Sequence, residues 1–229
     1  MKLNKLTIAI AVSVMALAFA GCSKDDKSTA PQVSNARVLV VHASPDAPGV
    51  DLLVDNVKVN SQPLTFPNNT GYLNVTAGNR NIKVNASGTS TSVINANLDL
   101  SADMSYSIFA TDTLASIAPL VIEDNLSAPA SDKSHVRFIH LSPNAPAVDI
   151  TLTDGTVVFG NKAFGQYTPF TPLNAGPYNL QVRLAGTSTV VLNLPNIVLD
   201  NGKIYTVFAK GLVGGSGDQA LGAQIIVNN

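Results

Sequence analysis

Two ten-residue segments of this chain hold the residue types that could do chemistry. His42-Ala43-Ser44-Pro45-Asp46-Ala47-Pro48-Gly49-Val50-Asp51 returns, at an offset of 140 − 42 = 98, as His140-Leu141-Ser142-Pro143-Asn144-Ala145-Pro146-Ala147-Val148-Asp149. Histidine, serine and aspartate are the parts of a nucleophilic hydrolase, where a histidine within hydrogen-bond reach activates serine and a third group orients it. On an extended chain His42 and Ser44 share a face and could meet. Ser44 precedes proline, however, and nothing glycine-rich beside it offers an oxyanion hole, so a hydrolase stays an alternative. His42, Asp46 and Asp51 also make a mixed donor set for a metal. Their spacing matches no zinc or EF-hand pattern, and Asn144 replaces Asp46 in the second copy. Calcium through Asp46, Asp51 or the Asp124 region is the remaining metal reading. No metal or cofactor is expected, and carboxylates bonded to backbone amides are favoured.

The flanking residues explain the segment as a corner. Apolar strands Val38 to Val41 and Val136 to Ile139 each run into the histidine. Pro45, Pro48, Pro143 and Pro146 then end sheet pairing, because proline has no amide hydrogen and a fixed φ. Ser44 and Asp46 are expected to cap the turn through nearby backbone amides. One imidazole nitrogen of His42 and of His140 is expected to bond a backbone group of the turn. On this reading His42, Ser44, Asp46 and Asp51, like His140, Ser142, Asn144 and Asp149, are structural.

The repeat extends well beyond the corner. Phe66 matches Phe164, Tyr72 matches Phe170, and Gly88-Thr89-Ser90-Thr91 matches Gly186-Thr187-Ser188-Thr189. Tyr106-Ser107-Ile108-Phe109-Ala110 recurs as Tyr205-Thr206-Val207-Phe208-Ala209, one residue out of step. Two copies of one domain are therefore expected, at 34–126 and 135–229, joined by a small, polar, proline-containing linker at 127–134. Within each copy the apolar period is two. Ile82, Val84 and Ala86 alternate with Asn81, Lys83 and Asn85, and Leu180, Val182 and Leu184 behave likewise. Asp55-Asn56 and Asp154-Gly155 suit hairpin turns that need positive φ. Seven or eight short strands per copy predict an all-β chain of two tandem antiparallel β-sandwich domains, Ig-like or transthyretin-like, with a closed barrel as the rival.

The start of the chain bears on location. Lys2 and Lys5 precede an apolar run from Leu6 to Ala20, and Phe19-Ala20-Gly21-Cys22 resembles the lipobox of bacterial lipoproteins. Residues 1–21 read as a signal peptide, Cys22 as the lipidated residue, and 22–33 as a flexible tether. Ser23-Lys24-Asp25-Asp26 resembles the short acidic sequence of surface-exposed lipoproteins, so display on the outer membrane is expected. Cys22 is the only cysteine, which excludes an internal disulfide. Without Lys2 and Lys5 the charge is 12 − 15 = −3, and no basic stripe suggests nucleic acid. The absence of Trp lowers glycan binding below a protein or envelope partner. The expected molecule is a monomeric, non-enzymatic binding or structural module held to the membrane by lipid. A glycan-binding accessory lipoprotein of a nutrient uptake system is a second alternative.

These segments resemble the bacterial domain-of-unknown-function family DUF4397. The resemblance rests on His42 to Asp51, Ala163-Phe164-Gly165, Ala175-Gly176-Pro177-Tyr178 and Ile204-Tyr205-Thr206-Val207. It implies a β-rich fold and an extracytoplasmic location, and it brings no established activity. Two departures separate the copies: Asn144 stands for Asp46, and Arg137, three residues before its histidine, stands where the first copy has Leu39. Anything that depends on a carboxylate or an arginine there cannot be identical in both copies.

Overall fold

The structure is a computed structural model describing residues 34–229. The signal peptide, Cys22 and the tether lie outside the described residues. The first copy comprises β1 (Asn35–His42), β2 (Val50–Val54), β3 (Val57–Lys58), β4 (Asn69–Thr76), β5 (Gly78–Ala86), β6 (Ser92–Leu100), β7 (Ser105–Thr111) and β8 (Ala118–Glu123). The second repeats the plan with β9 (Lys133–His140), β10 (Val148–Leu152), β11 (Val157–Lys162), β12 (Thr171–Asn174), β13 (Gly176–Leu184), β14 (Val190–Leu199), β15 (Ile204–Lys210) and β16 (Gly222–Val227). No helix among the described residues is long and apolar enough to cross a membrane.

Each copy is a sandwich of two four-stranded sheets. The orders are β4-β1-β7-β8 with β3-β2-β5-β6, and β12-β9-β15-β16 with β11-β10-β13-β14. Pairing is antiparallel except for β1 with β7 and β9 with β15, which run parallel. Asp55 and Asn56 both take positive φ, 49° and 67°, as a tight turn between β2 and β3 requires. The corner prolines end β1 and β9 at the histidines, and the chain resumes in the opposite sheet. A second device is shared: the Tyr106 hydroxyl accepts the Ser101 amide at 3.1 Å, and Tyr205 accepts that of Asp200 at 3.0 Å.

The outer sheets follow the expected pattern, buried on one face and wet on the other. The inner sheets do not. Along β1, Val38 and Val40 face the first sandwich core beside Val50, Leu52, Ile82 and Val84. Leu39, Val41 and Ala43 point the other way, into a cluster with Phe109, Ile139, Leu141, Phe208 and Ile226. That third core is drawn from both copies. β1, β7, β9 and β15 are therefore buried on both faces, which is why Val38 to Val41 in β1 reads as an unbroken apolar run. Phe109 and Phe208 meet edge to face across this seam, with centroids 6.2 Å apart. Residues 127–134 cross from β8 to β9, which opens at Lys133.

Candidate functional site

Each corner histidine closes its strand and turns back on its own loop. His42 Nε2 lies 2.9 Å from the Pro48 carbonyl oxygen, and His140 Nε2 lies 3.1 Å from that of Pro146. A carbonyl can only accept, so Nε2 carries the proton and Nδ1 is the bare nitrogen. Both rings are wholly buried, and neither Nδ1 has a partner. Burial pushes both imidazoles below their ordinary value of 6.5, against the opposing pull of the proline carbonyl. They are held neutral and locked in one tautomer.

The serine and the acidic residue of the corner do not cap nearby amides, contrary to expectation. Ser44 Oγ is buried without a partner, whereas Ser142 Oγ donates to the Gly211 carbonyl at 2.7 Å. Asp46 Oδ1 accepts the Leu114 amide at 2.8 Å, in the loop after β7. Asn144 reaches the matching loop after β15, accepting the Val213 amide at 2.9 Å and donating to the Val213 carbonyl at 3.1 Å. The reason is local. Pro45 and Pro48, or Pro143 and Pro146, deprive the turn of amide donors, so its side chains find them on the neighbouring loop.

Asp51 and Asp149 face a different element. Asp51 accepts the Gly88 amide at 3.1 Å and the Ser87 hydroxyl at 3.2 Å, and pairs with Lys58 at 2.8 Å. Asp149 accepts the Gly186 amide at 2.8 Å and the Asn161 amide at 2.6 Å. The Lys58 ammonium, then the Gly88 amide, hold the Asp51 carboxyl below its ordinary range. These aspartates fasten β2 and β10 to the tips of the β5–β6 and β13–β14 hairpins. The structure thus brings His, Ser, Asp46 or Asn144, and Asp51 or Asp149 into one corner, but all of them except the unpartnered Ser44 bond different backbone groups. Among the described residues no three His, Cys, Asp or Glu side chains converge as metal ligands.

Asp124 is committed elsewhere, to a polar ring that spans the seam. Arg137 Nη1 donates to Asp124 Oδ1 at 2.6 Å, Nη2 to the Ser107 hydroxyl at 2.8 Å and Nε to the Thr206 hydroxyl at 2.8 Å. Thr206 donates to Asn228 Oδ1 at 2.8 Å, and Asn228 Nδ2 donates to the Tyr72 hydroxyl at 3.1 Å. Tyr72 and Ser107 close the ring by donating to Asp124 Oδ2 at 2.5 Å and 2.7 Å. Arg137 and Asp124 are 1% and 4% exposed, and the guanidinium also stacks 4.5 Å from the Phe170 centroid. Burial, reinforced by the Asp124 carboxylate, pushes the Tyr72 phenol well above its ordinary value. Sequence reasoning noted Arg137 only as a departure between the copies. An arginine inside an apolar strand is the signal that marks a buried partner.

In solved structures, the chain is similar to the carbohydrate-binding module CBMbc (family CBM26) of Eubacterium rectale Amy13K, solved in complex with maltoheptaose. The identity is 8% over 83% of this chain and 96% of that one, at a TM-score of 0.26. The Bacillus anthracis TIE protein is similar at 12% identity over 77% of this chain and 34% of its own, at a TM-score of 0.25. No curated relative matches the chain. The sequence model of a domain of unknown function, DUF4397, matches residues 36–151, just over half the chain, from β1 through repeat 1 into β10. Because that match spans half of the chain, the chain belongs to the DUF4397 family.

Proposed function

We propose that this protein is a non-enzymatic, lipid-anchored module of the cell envelope, displayed at the outer membrane surface and acting by binding as one rigid two-repeat body. The observation that carries the reading is how the duplicated polar side chains are used. His42 and His140 hold proline carbonyls, Asp46 and Asn144 hold the loops after β7 and β15, and Asp51 and Asp149 hold hairpin tips. His42 and Ser44 are not hydrogen-bonded to each other, and Ser142 donates to a backbone carbonyl instead. The exchange of Asp46 for Asn144 fits this use, because both side chains accept an amide hydrogen bond. Phe19-Ala20-Gly21-Cys22 supports the anchor.

Cell fractionation, fatty-acid labelling and protease treatment of intact cells test the reading together. Wild type should label, sediment with the outer membrane and be cleaved from outside, and Cys22→Ala should do none of these. Labelling that persists in Cys22→Ala, or protection of the wild type in intact cells, would contradict it. A hydrolase activity lost specifically in His42→Gln would overturn the non-enzymatic part.

A further inference from the structure

We propose that the second repeat carries a ligand site of its own, an apolar pocket beside His140 that takes an unbranched aliphatic chain. It rests on the binding reading above and gives it a ligand class. The cavity has about 370 Å³ and lies at the histidine end of β9, between the two sheets of repeat 2. Ligand pockets commonly span about 300–1,000 Å³. Val148, Val182, Leu184 and Leu192 line it from the outer sheet, and Val213 and Leu221 from the loop after β15. His140 is the one lining side chain with a nitrogen or oxygen, and its Nε2 already donates to Pro146. The wall offers no charge, no free donor and no phenyl, phenol or indole ring. A phosphate would find no donor and no charge there and a sugar at most the His140 Nδ1 acceptor, whereas a saturated chain loses only its contact with water.

The loop that forms the mouth is built rather than slack. Repeat 1 joins β7 to β8 through residues 112–117, but repeat 2 uses residues 211–221 for the same connection. The longer loop folds on itself, with Leu212 N bonded to Gln219 O at 2.8 Å, Gly215 N to Leu212 O at 3.0 Å and Ala220 N to Gly217 O at 3.1 Å. A Cβ on Gly211 would collide with the backbone of Ala220 and Gln219, and one on Gly215 with that of Gln219, so glycine is required there. The two hydrogen bonds of Asn144 pin Val213, half exposed at the rim. This gives the Asp46-to-Asn144 departure a use: a carboxamide holds both the amide and the carbonyl of Val213, which a carboxylate cannot.

The occupant is a free aliphatic molecule from the surroundings, matched to a wall that is apolar on every side but His140.

Calorimetric titration of the chain from residue 22 onward carrying Cys22→Ala, which keeps every described strand, tests this with hexanoate, octanoate and decanoate. Affinity should rise about fourfold per methylene, or about fifteenfold per two-carbon step, until the pocket is full. Ala209→Leu inside and Ala145→Phe at the half-exposed mouth should each weaken octanoate at least tenfold. Ala47→Phe, the same position in repeat 1, should leave binding unchanged. Should Ala209→Leu fail to fold, Ala145→Phe decides. An affinity indifferent to chain length, or full binding by folded Ala145→Phe, would overturn the proposal. Because the chain carries no lipid, such a failure would leave the envelope anchor standing.

Discussion

The buried pair at the seam gives the sharpest energetic expectation. Arg137→Leu removes the counter-charge of Asp124, leaving a carboxylate 4% exposed with only the Tyr72 and Ser107 hydroxyls as donors. Breaking a buried pair from one side costs about 3–5 kcal/mol, because the remaining charge is uncompensated. Asp124→Asn strands the guanidinium in the same way. The double variant Arg137→Leu with Asp124→Asn takes away both charges and installs the residue types that the copies already use at the counterpart positions, Leu39 and Asn228. Replacing a whole buried pair is often close to neutral, so the double variant should lie within about 2 kcal/mol of wild type. The coupling energy is then about 3 kcal/mol or more. With a urea m-value of about 2–3 kcal/mol/M, each single variant should lower the midpoint by about 1–2 M, and the second substitution should restore most of it. Urea titrations of the four proteins measure the cycle. Strictly additive losses would refute the argument, since they would mean that neither charge depends on the other.

The remaining expectations use the same structure. His42 and His140 are buried neutral with lowered folded pKa values, so below 6.5 the unfolded chain binds protons that the folded chain does not. Stability should therefore fall as pH drops from 7 through 6.5 and level off once the folded values are passed, by up to about 1.4 kcal/mol per pH unit per histidine. Urea midpoints from pH 7 to 5 measure this, and His42→Gln with His140→Gln should flatten the slope. Tyr72 has the opposite displacement, raised when folded, so its contribution is complete below pH 10 and is lost as pH rises above it. Ultraviolet titration should find the Tyr72 phenol among those that ionise only on alkaline unfolding, and Tyr72→Phe should remove one phenol from that phase. Asp46→Ala should cost about 1 kcal/mol and speed amide exchange at Leu114, while exchange at Gly88 stays unchanged. Equal acceleration at both amides would point to general loosening instead.

Much of the fold was legible because duplication prints every element twice. The alternation at Ile82–Ala86 and Leu180–Leu184 marked half-buried strands, and the prolines after His42 and His140 marked where β1 and β9 must stop. The seam was not legible from the same pattern. A strand buried on both faces shows an unbroken apolar run, and Val38 to Val41 cannot announce whether its second face meets solvent, a membrane or another sheet. The corner is legible as architecture, but its bonding partners lie far beyond the turn in sequence. Asp46 and Asn144 bond residues 68 and 69 positions away, a distance that only the pairing of β7 with β1 and β15 with β9 brings together. Arg137 and Asp124 lie in different copies, so comparing the copies position by position showed only a mismatch, Arg against Leu, where the structure has a cross-copy bond.

The two copies share a third core, and scanning calorimetry reads whether they unfold as one body. If Leu39, Val41, Phe109, Ile139, Leu141 and Phe208 form one seam closed by Arg137 and Asp124, neither sandwich can unfold without exposing the other. The unlipidated chain should then melt in a single transition whose calorimetric and van't Hoff enthalpies agree. Two resolved transitions, or a calorimetric enthalpy near twice the van't Hoff value, would show two independent domains and contradict the account.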